Sequence, residues 1–287
     1  LVQNGDFSEE GVQEVSNGSF SQEGVQLITN GSFDTDSDWI KGTGWSISGG
    51  TANCDGTQLS NSNLLQSNVV TSGSTYKITY TISNFVSGTL KSVLGVGGVV
   101  RNSNGVYSEY ITATSSTFLL QANLDFIGSI DNVSVREVGQ DWTLGSGWSI
   151  AEDKAVFNGA AYKAARTNAG LITGKTYKVT FDLDITSGDV VVQLGGATNT
   201  FNTSATHTFY DTATANGSYS SFVSLYSSQT SNFSITNISV KEVGMDWTLS
   251  DWSVEDSLVS SGNTSTLLQQ PNIYTSTTSI YKTTFRA

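Results

Sequence analysis

The run Thr75-Tyr76-Lys77-Ile78-Thr79-Tyr80 alternates polar with apolar residues, and it returns as Thr176-Tyr177-Lys178-Val179-Thr180-Phe181 and as Tyr281-Lys282-Thr283-Thr284-Phe285. A period of two sends every second side chain to one face, as in a half-buried β-strand. Working outward, Asp38-Trp39-Ile40 recurs as Asp141-Trp142-Thr143-Leu144 and Asp246-Trp247-Thr248-Leu249, so the tryptophans stand 103 and 105 residues apart. A second tryptophan follows each, at Trp45, Trp148 and Trp252. Two more alternating runs, Ile130-Asp131-Asn132-Val133-Ser134-Val135 and Ile235-Thr236-Asn237-Ile238-Ser239-Val240, close the complete units. Self-similarity at a fixed period is the mark of a repeat architecture.

The fold class predicted is all-β, a series of antiparallel β-sandwich domains with no helix longer than three turns between residues 40 and 240. Domain one spans 27–139 and domain two 140–244. A third begins at 245 and is incomplete at 287, so the chain is expected to continue. The only methionine is Met245, so residues are also expected before Leu1. The recurring tryptophans are read as scaffold.

The start of the chain carries a shorter repeat, of period 13: Asn4-Gly5-Asp6-Phe7, Asn17-Gly18-Ser19-Phe20 and Asn30-Gly31-Ser32-Phe33. Asn-Gly signals a turn, and the flanking valines suit short extended segments. Residues 1–26 look like domain lead-in strands duplicated into a stalk or assembly segment. Val2, Phe7, Val12, Val15, Phe20 and Val25 are too few to form a core alone, so these strands are expected to pair between chains, giving a homo-oligomer, a trimer.

Composition narrows the function. Thirteen basic residues against 25 acidic ones give a net charge of −12, which repels phosphate backbones, so nucleic acid is not an expected partner. No apolar run approaches the ~20 residues of a membrane span. The lone Cys54 and lone His207 leave no Cys-His or Ser-His-Asp constellation, so the chain is read as non-enzymatic. Asp34, Asp36 and Asp38 begin like a calcium loop of the EF-hand type, but Trp39 and Trp45 occupy its glycine and glutamate positions. Gly95-Val96-Gly97-Gly98 reads as a glycine-bent strand, with no helix to follow.

The order Asn30-Gly31-Ser32-Phe33, Asp38-Trp39, Gly147-Trp148-Ser149-Ile150, Gly174 to Phe181 and Ile130 to Val135 resembles jelly-roll carbohydrate-binding modules of families four, nine and twenty-two. Tandem arrays of this kind look like those in appendage and surface proteins of tailed phages. The resemblance implies a jelly-roll fold, a surface glycan as ligand, other virion proteins as partners, and a place on a virion surface or outside the cell. It also implies a structural calcium ion (Ca2+) in domain one, held by Asp131 with the lead-in residues Asn30 and Asp34, and none in domain two, where Thr236 replaces the carboxylate.

Aromatic residues that do not recur between units are freer to bind than the scaffold tryptophans. They are Tyr107 and Tyr110 in domain one and Tyr219, Phe222 and Tyr226 in domain two. Two readings stand side by side: a glycan-binding adhesin module of a phage tail or capsid fibre, and a structural spacer that binds nothing. The first requires two or more aromatics exposed together on one sheet.

Overall fold

The structure is a computed structural model that describes residues 3–247, 249, 252–255, 258–261 and 268–270. Two strands belong to the N-terminal repeats, β1 (Glu10–Gln13) and β2 (Glu23–Gln26). Domain one holds β3 (Ile40–Lys41), β4 (Trp45–Ser48), β5 (Thr51–Asp55), β6 (Ser62–Gln66), β7 (Thr75–Ser87), β8 (Leu90–Val93), β9 (Gly105–Thr112), β10 (Phe118–Ala122) and β11 (Ile127–Val138). Domain two holds β12 (Thr143–Leu144), β13 (Trp148–Ala151), β14 (Lys154–Gly159), β15 (Ala165–Asn168), β16 (Thr176–Ser187), β17 (Val190–Leu194), β18 (Ala197–Phe201), β19 (Ala205–Thr212), β20 (Phe222–Tyr226) and β21 (Ser231–Val243). A hairpin, β22 (Trp252–Glu255) and β23 (Leu258–Ser261), follows. Among the described residues the one helical element is a 3-10 turn, Gly217–Tyr219. Most of the expected third domain, with Val2 and the strand at Tyr281, lies outside the described residues.

Both domains are antiparallel jelly-roll sandwiches. In domain two the order β13-β14-β21-β16-β19 faces the order β12-β15-β20-β17-β18; in domain one β4-β5-β11-β7-β9 faces β3-β6-β10-β8. Successive strands switch between sheets, and side chains from both inner faces fill the space between them. The alternating runs sit where their period requires: Tyr76, Ile78 and Tyr80 of β7, and Tyr177, Val179 and Phe181 of β16, are all 0 to 1% exposed. Trp39, Trp45, Trp142 and Trp148 are buried with them.

The N-terminal repeats pair within the chain. Each closing strand, β11 or β21, lies along a full-length neighbour on one side, but on the other side β5 or β14 covers only its first half. The lead-in strands fill the gap: β2 pairs with β11 at residues 136–138, and β1 pairs with β21 at residues 241–243. Repeat three serves domain one, repeat two serves domain two, and repeat one reaches the third unit.

The same contact is made three times. Phe33 meets Trp39, Phe20 meets Trp142 and Phe7 meets Trp247, with ring centroids 5.2, 5.1 and 5.0 Å apart and tilted by 35 to 43°. The Trp39 indole N–H donates to the Asn30 carbonyl at 2.9 Å, and that of Trp247 donates to the Asn4 carbonyl at 3.1 Å. The Gln66 amide brackets the Thr29 backbone, and the Gln270 amide brackets Gln3 in the same way. Val15 and Phe20, expected to line an axis shared between chains, are instead 3% and 0% exposed inside the core of domain two. Of the residues judged too few to form a core alone, Val15 and Phe20 thus join a core already present, while Val12 and Val25 face solvent.

Phe20→Ala is therefore expected to destabilise domain two by about 3–5 kcal/mol, although it precedes Trp142 by 122 residues. Val12, 75% exposed, should tolerate alanine within about 0.5 kcal/mol. Denaturant unfolding followed by tryptophan fluorescence distinguishes the two.

Candidate functional site

Domain two carries its candidate site on the outer face of the sheet β12-β15-β20-β17-β18. In β20, Val223 and Leu225 point into the core, so Phe222, Ser224 and Tyr226 point outward. The register then builds a row across the sheet: Thr143 faces Arg166, Arg166 faces Ser224, Ser224 faces Gln193 and Gln193 faces Thr198.

Aromatic pairs stand at both ends of this row. At one end the 3-10 turn presents Tyr219, 44% exposed, edge-on to Phe222 with centroids 5.4 Å apart. The Arg166 guanidinium lies 4.7 Å from the Tyr219 ring centre, a cation–π contact that leaves its edge free for hydrogen bonds. At the other end Tyr226 lies 6.2 Å from Tyr162. Phe222 and Tyr226 are four residues apart on one strand, roughly 13 Å at strand rise. The two aromatic pairs are thus set apart at opposite ends of one face.

Tyr162 was not anticipated from the sequence. It is 72% exposed and holds φ at 61°, a conformation unfavourable for a bulky side chain. Its N–H donates to the Ser227 carbonyl at 2.8 Å, which fixes the turn. Ser227 is fixed in turn by Asp189, a carboxylate 6% exposed that accepts from the Ser227 hydroxyl at 2.7 Å, the Ser228 N–H at 2.8 Å, the Ser228 hydroxyl and the Gln229 amide. Burial would push Asp189 upward, but these donors, led by the Ser228 hydroxyl, hold its carboxyl below the usual range. Burial, with Tyr162 and Asp189 nearby, pushes the Tyr226 phenol up, so it stays a neutral donor and acceptor.

Tyr107 and Tyr110 are not part of a common platform. Tyr107 faces inward at the open edge of domain one, where its hydroxyl donates to the Ser103 carbonyl at 2.7 Å, Arg101 lies 4.7 Å over its ring and Tyr80 packs at 5.7 Å. Tyr110 points the other way, packing against the core of domain two and donating to Asp153 at 3.3 Å. The corresponding row of domain one is aliphatic, with Ile40, Leu65, Leu119 and Val93 opposite one another in turn, beside a second outward row of Asn63, Gln121 and Lys91.

The three expected calcium ligands make local bonds. Asp131 accepts from the N–H and amide of Asn132, Asp34 accepts from the Ser32 hydroxyl, and the Asn30 amide donates to the Thr35 and Ser37 carbonyls. Among the described residues no three of Asp, Glu, His and Cys gather as a metal group. In domain two Thr236 stands at the position equivalent to Asp131. There the Thr236 hydroxyl lies 3.1 Å from the Ser19 carbonyl and 2.9 Å from that of Asp153, linking the lead-in segment to the β13–β14 turn.

His207 is stacked on Phe181 and bonded to the Thr203 carbonyl at 2.8 Å, and Cys54 is buried, with its thiol pushed up by that burial. No described helix is long and apolar enough to cross a membrane.

No family model and no curated protein matches the chain. Among solved structures it is similar to the N-terminal tandem CBM22-1-CBM22-2 domain of Xyn10C from Paenibacillus barcinonensis, at 11% identity over 77% of this chain and 98% of that one, with a TM-score of 0.32. It is also similar to a fucolectin from striped bass (Morone saxatilis) serum, at 10% identity, 69% and 87% coverage and a TM-score of 0.26. A third is an allantoicase, at 11% identity, 79% and 93% coverage and a TM-score of 0.26. All three are weak likenesses.

The Asp189 carboxyl lies below its unfolded value, so its contribution to stability is present above ordinary carboxyl pH, about 4, and is lost as pH falls through the depressed folded value. Asp189→Asn should reduce stability near neutrality and flatten the decline on acidification. Urea unfolding at a series of pH values measures both.

Proposed function

We propose that the chain is a non-enzymatic glycan-binding module and that the outer face of domain two is its binding platform. The observation that carries this is the placing of two aromatic pairs, Tyr219 with Phe222 and Tyr162 with Tyr226, at the ends of a row that holds Arg166 on one sheet face. Aromatic faces stack on the apolar faces of sugar rings, while arginine and glutamine between them bond hydroxyl groups. The scaffold does not need these side chains, since domain one folds with Ile40, Leu65, Leu119 and Val93 in the corresponding row. That aliphatic row suits a spacing role, so one domain binds while its neighbour sets reach. Such an array fits a phage fibre or similar surface appendage.

Calcium belongs to the same proposal as a structural ion in domain one, with Asp131 supplying charge where Thr236 supplies a hydroxyl in domain two. The ion would join the lead-in turn to the closing strand.

Screening the full chain against immobilised glycans should yield a ligand. Tyr226→Ala and Arg166→Ala should each weaken it about tenfold, the effect of ~1.4 kcal/mol, without altering thermal unfolding. Lys91→Ala on domain one should have no effect. Failure of every glycan class would leave the spacer reading.

Adding calcium should raise the unfolding temperature of domain one alone, and Asp131→Thr should abolish the shift. A calorimetric scan with and without chelator reads this. An equal shift in both domains would count against the assignment.

A further inference from the structure

Repeats two and three are read by their domains in the same way, residue by residue. Glu10 lies between Lys178 at 2.7 Å and Lys241 at 3.0 Å; Glu23 lies between Lys77 at 2.7 Å and Arg136 at 3.7 Å. Gln13 spans the β21 backbone, accepting from the Val240 N–H at 2.7 Å and donating to the Ile238 carbonyl at 3.3 Å. Gln26 does the same on β11, with Val135 at 2.9 Å and Val133 at 3.3 Å. The Gly18 carbonyl accepts from Ile238, and that of Gly31 from Val133, both at 2.9 Å. A Cβ at either glycine would lie 2.0 or 2.1 Å from the facing carbonyl oxygen, so only glycine fits. Phenylalanine then seats against tryptophan.

Domain two has no such segment of its own, since Val138-Gly139-Gln140-Asp141 precedes Trp142 directly. Its core is completed by residues that arrive from far upstream. Repeats two and three present the same Glu, Gln, Gly and Phe at these positions and differ at the buried Val15 and Ile28. The shared contacts do not by themselves distinguish the two repeats, so the tether, through the local concentration it creates, assigns repeat two to domain two. The polar contacts of Glu10 are solvent-exposed and the pairing is strand to strand edge, a geometry open to exchange between chains.

We infer that the groove along β21, from Lys178 and Lys241 to Trp142, is a peptide-binding site for the linear motif Glu-Gly-x-Gln-x-Val/Ile-x-Asn-Gly-Ser-Phe, and that a second copy of this chain is the partner that supplies it. Association then runs from the repeat of one chain to the domain of another, not from repeat to repeat. Each exchanged strap leaves its own domain open to a further chain.

Isotopically heavy and light full-length chains, incubated together and coupled by a zero-length carbodiimide, test this without altering the protein. The natural Glu10–Lys178 pair is cross-linked, and mass spectrometry distinguishes pairs within a chain from heavy–light pairs between chains. Heavy–light pairs should appear and grow with protein concentration. Only heavy–heavy and light–light pairs at every concentration would overturn the inference. Gly18→Val on both chains should remove at least about nine-tenths of the mixed pairs, a tenfold loss of binding. Gln13→Ala, which adds no bulk, should reduce them as well; mixed pairs unchanged in the Gln13→Ala protein would equally overturn it.

Discussion

A closing strand longer than the neighbour on one of its sides is the constraint from which the rest of this architecture follows. The second halves of β11 and β21 would present bare N–H and C=O groups beside an uncovered tryptophan face. An open edge next to an apolar surface is a double liability. The lead-in segment answers both at once, through backbone pairing and through the phenylalanine it sets on the tryptophan. Domain one draws that segment from the residues just before it, whereas domain two draws it from the far end of the chain. The sandwich is the same in each case, and only the route of its last piece differs.

Much of the fold was legible in the sequence because it is stated more than once. Two copies of the Thr-Tyr-Lys strand, each set between Asp-Trp junctions, fix register and core together in domains one and two, since a strand slipped by one residue would turn every tyrosine to water. The partner of residues 10–13 was not legible. Four residues with one valine carry no record of which edge they join, and a lead-in segment displaced from its domain resembles a stalk. Tyr107 and Tyr110 illustrate a different failure. They are three apart on one strand, so alternation itself places them on opposite faces, and being non-recurrent did not make them neighbours.

The candidate site shows the converse. Phe222 and Tyr226 are an even number apart, and β20 carries both outward. Arg166 looks in the sequence like any strand charge, and only the register against Ser224 puts it at the centre of the face. Tyr162 sits on a turn with left-handed backbone, where no periodic pattern reaches. The outward row differs in kind between the domains, aliphatic in one and polar in the other, while the inward rows stay apolar although their residues change, Leu64 to Ala165 and Phe118 to Val223. A core that must stay apolar and filled leaves the solvent face open to specialisation.

The repeats serve the domains in reverse order, since Phe7 meets Trp247 while Phe33 meets Trp39. During synthesis repeat one leaves the ribosome before repeats two and three and is consequently the last of the three to find its place. Repeat one must remain available while two whole sandwiches emerge. Domain one can finish as soon as its closing strand is made, because its lead-in is adjacent. Domain two closes by recapturing a segment made more than a hundred residues earlier, a contact of high sequence separation that slows the final step. Maturation of the array is thus vectorial, with each new domain retrieving an older stretch of chain.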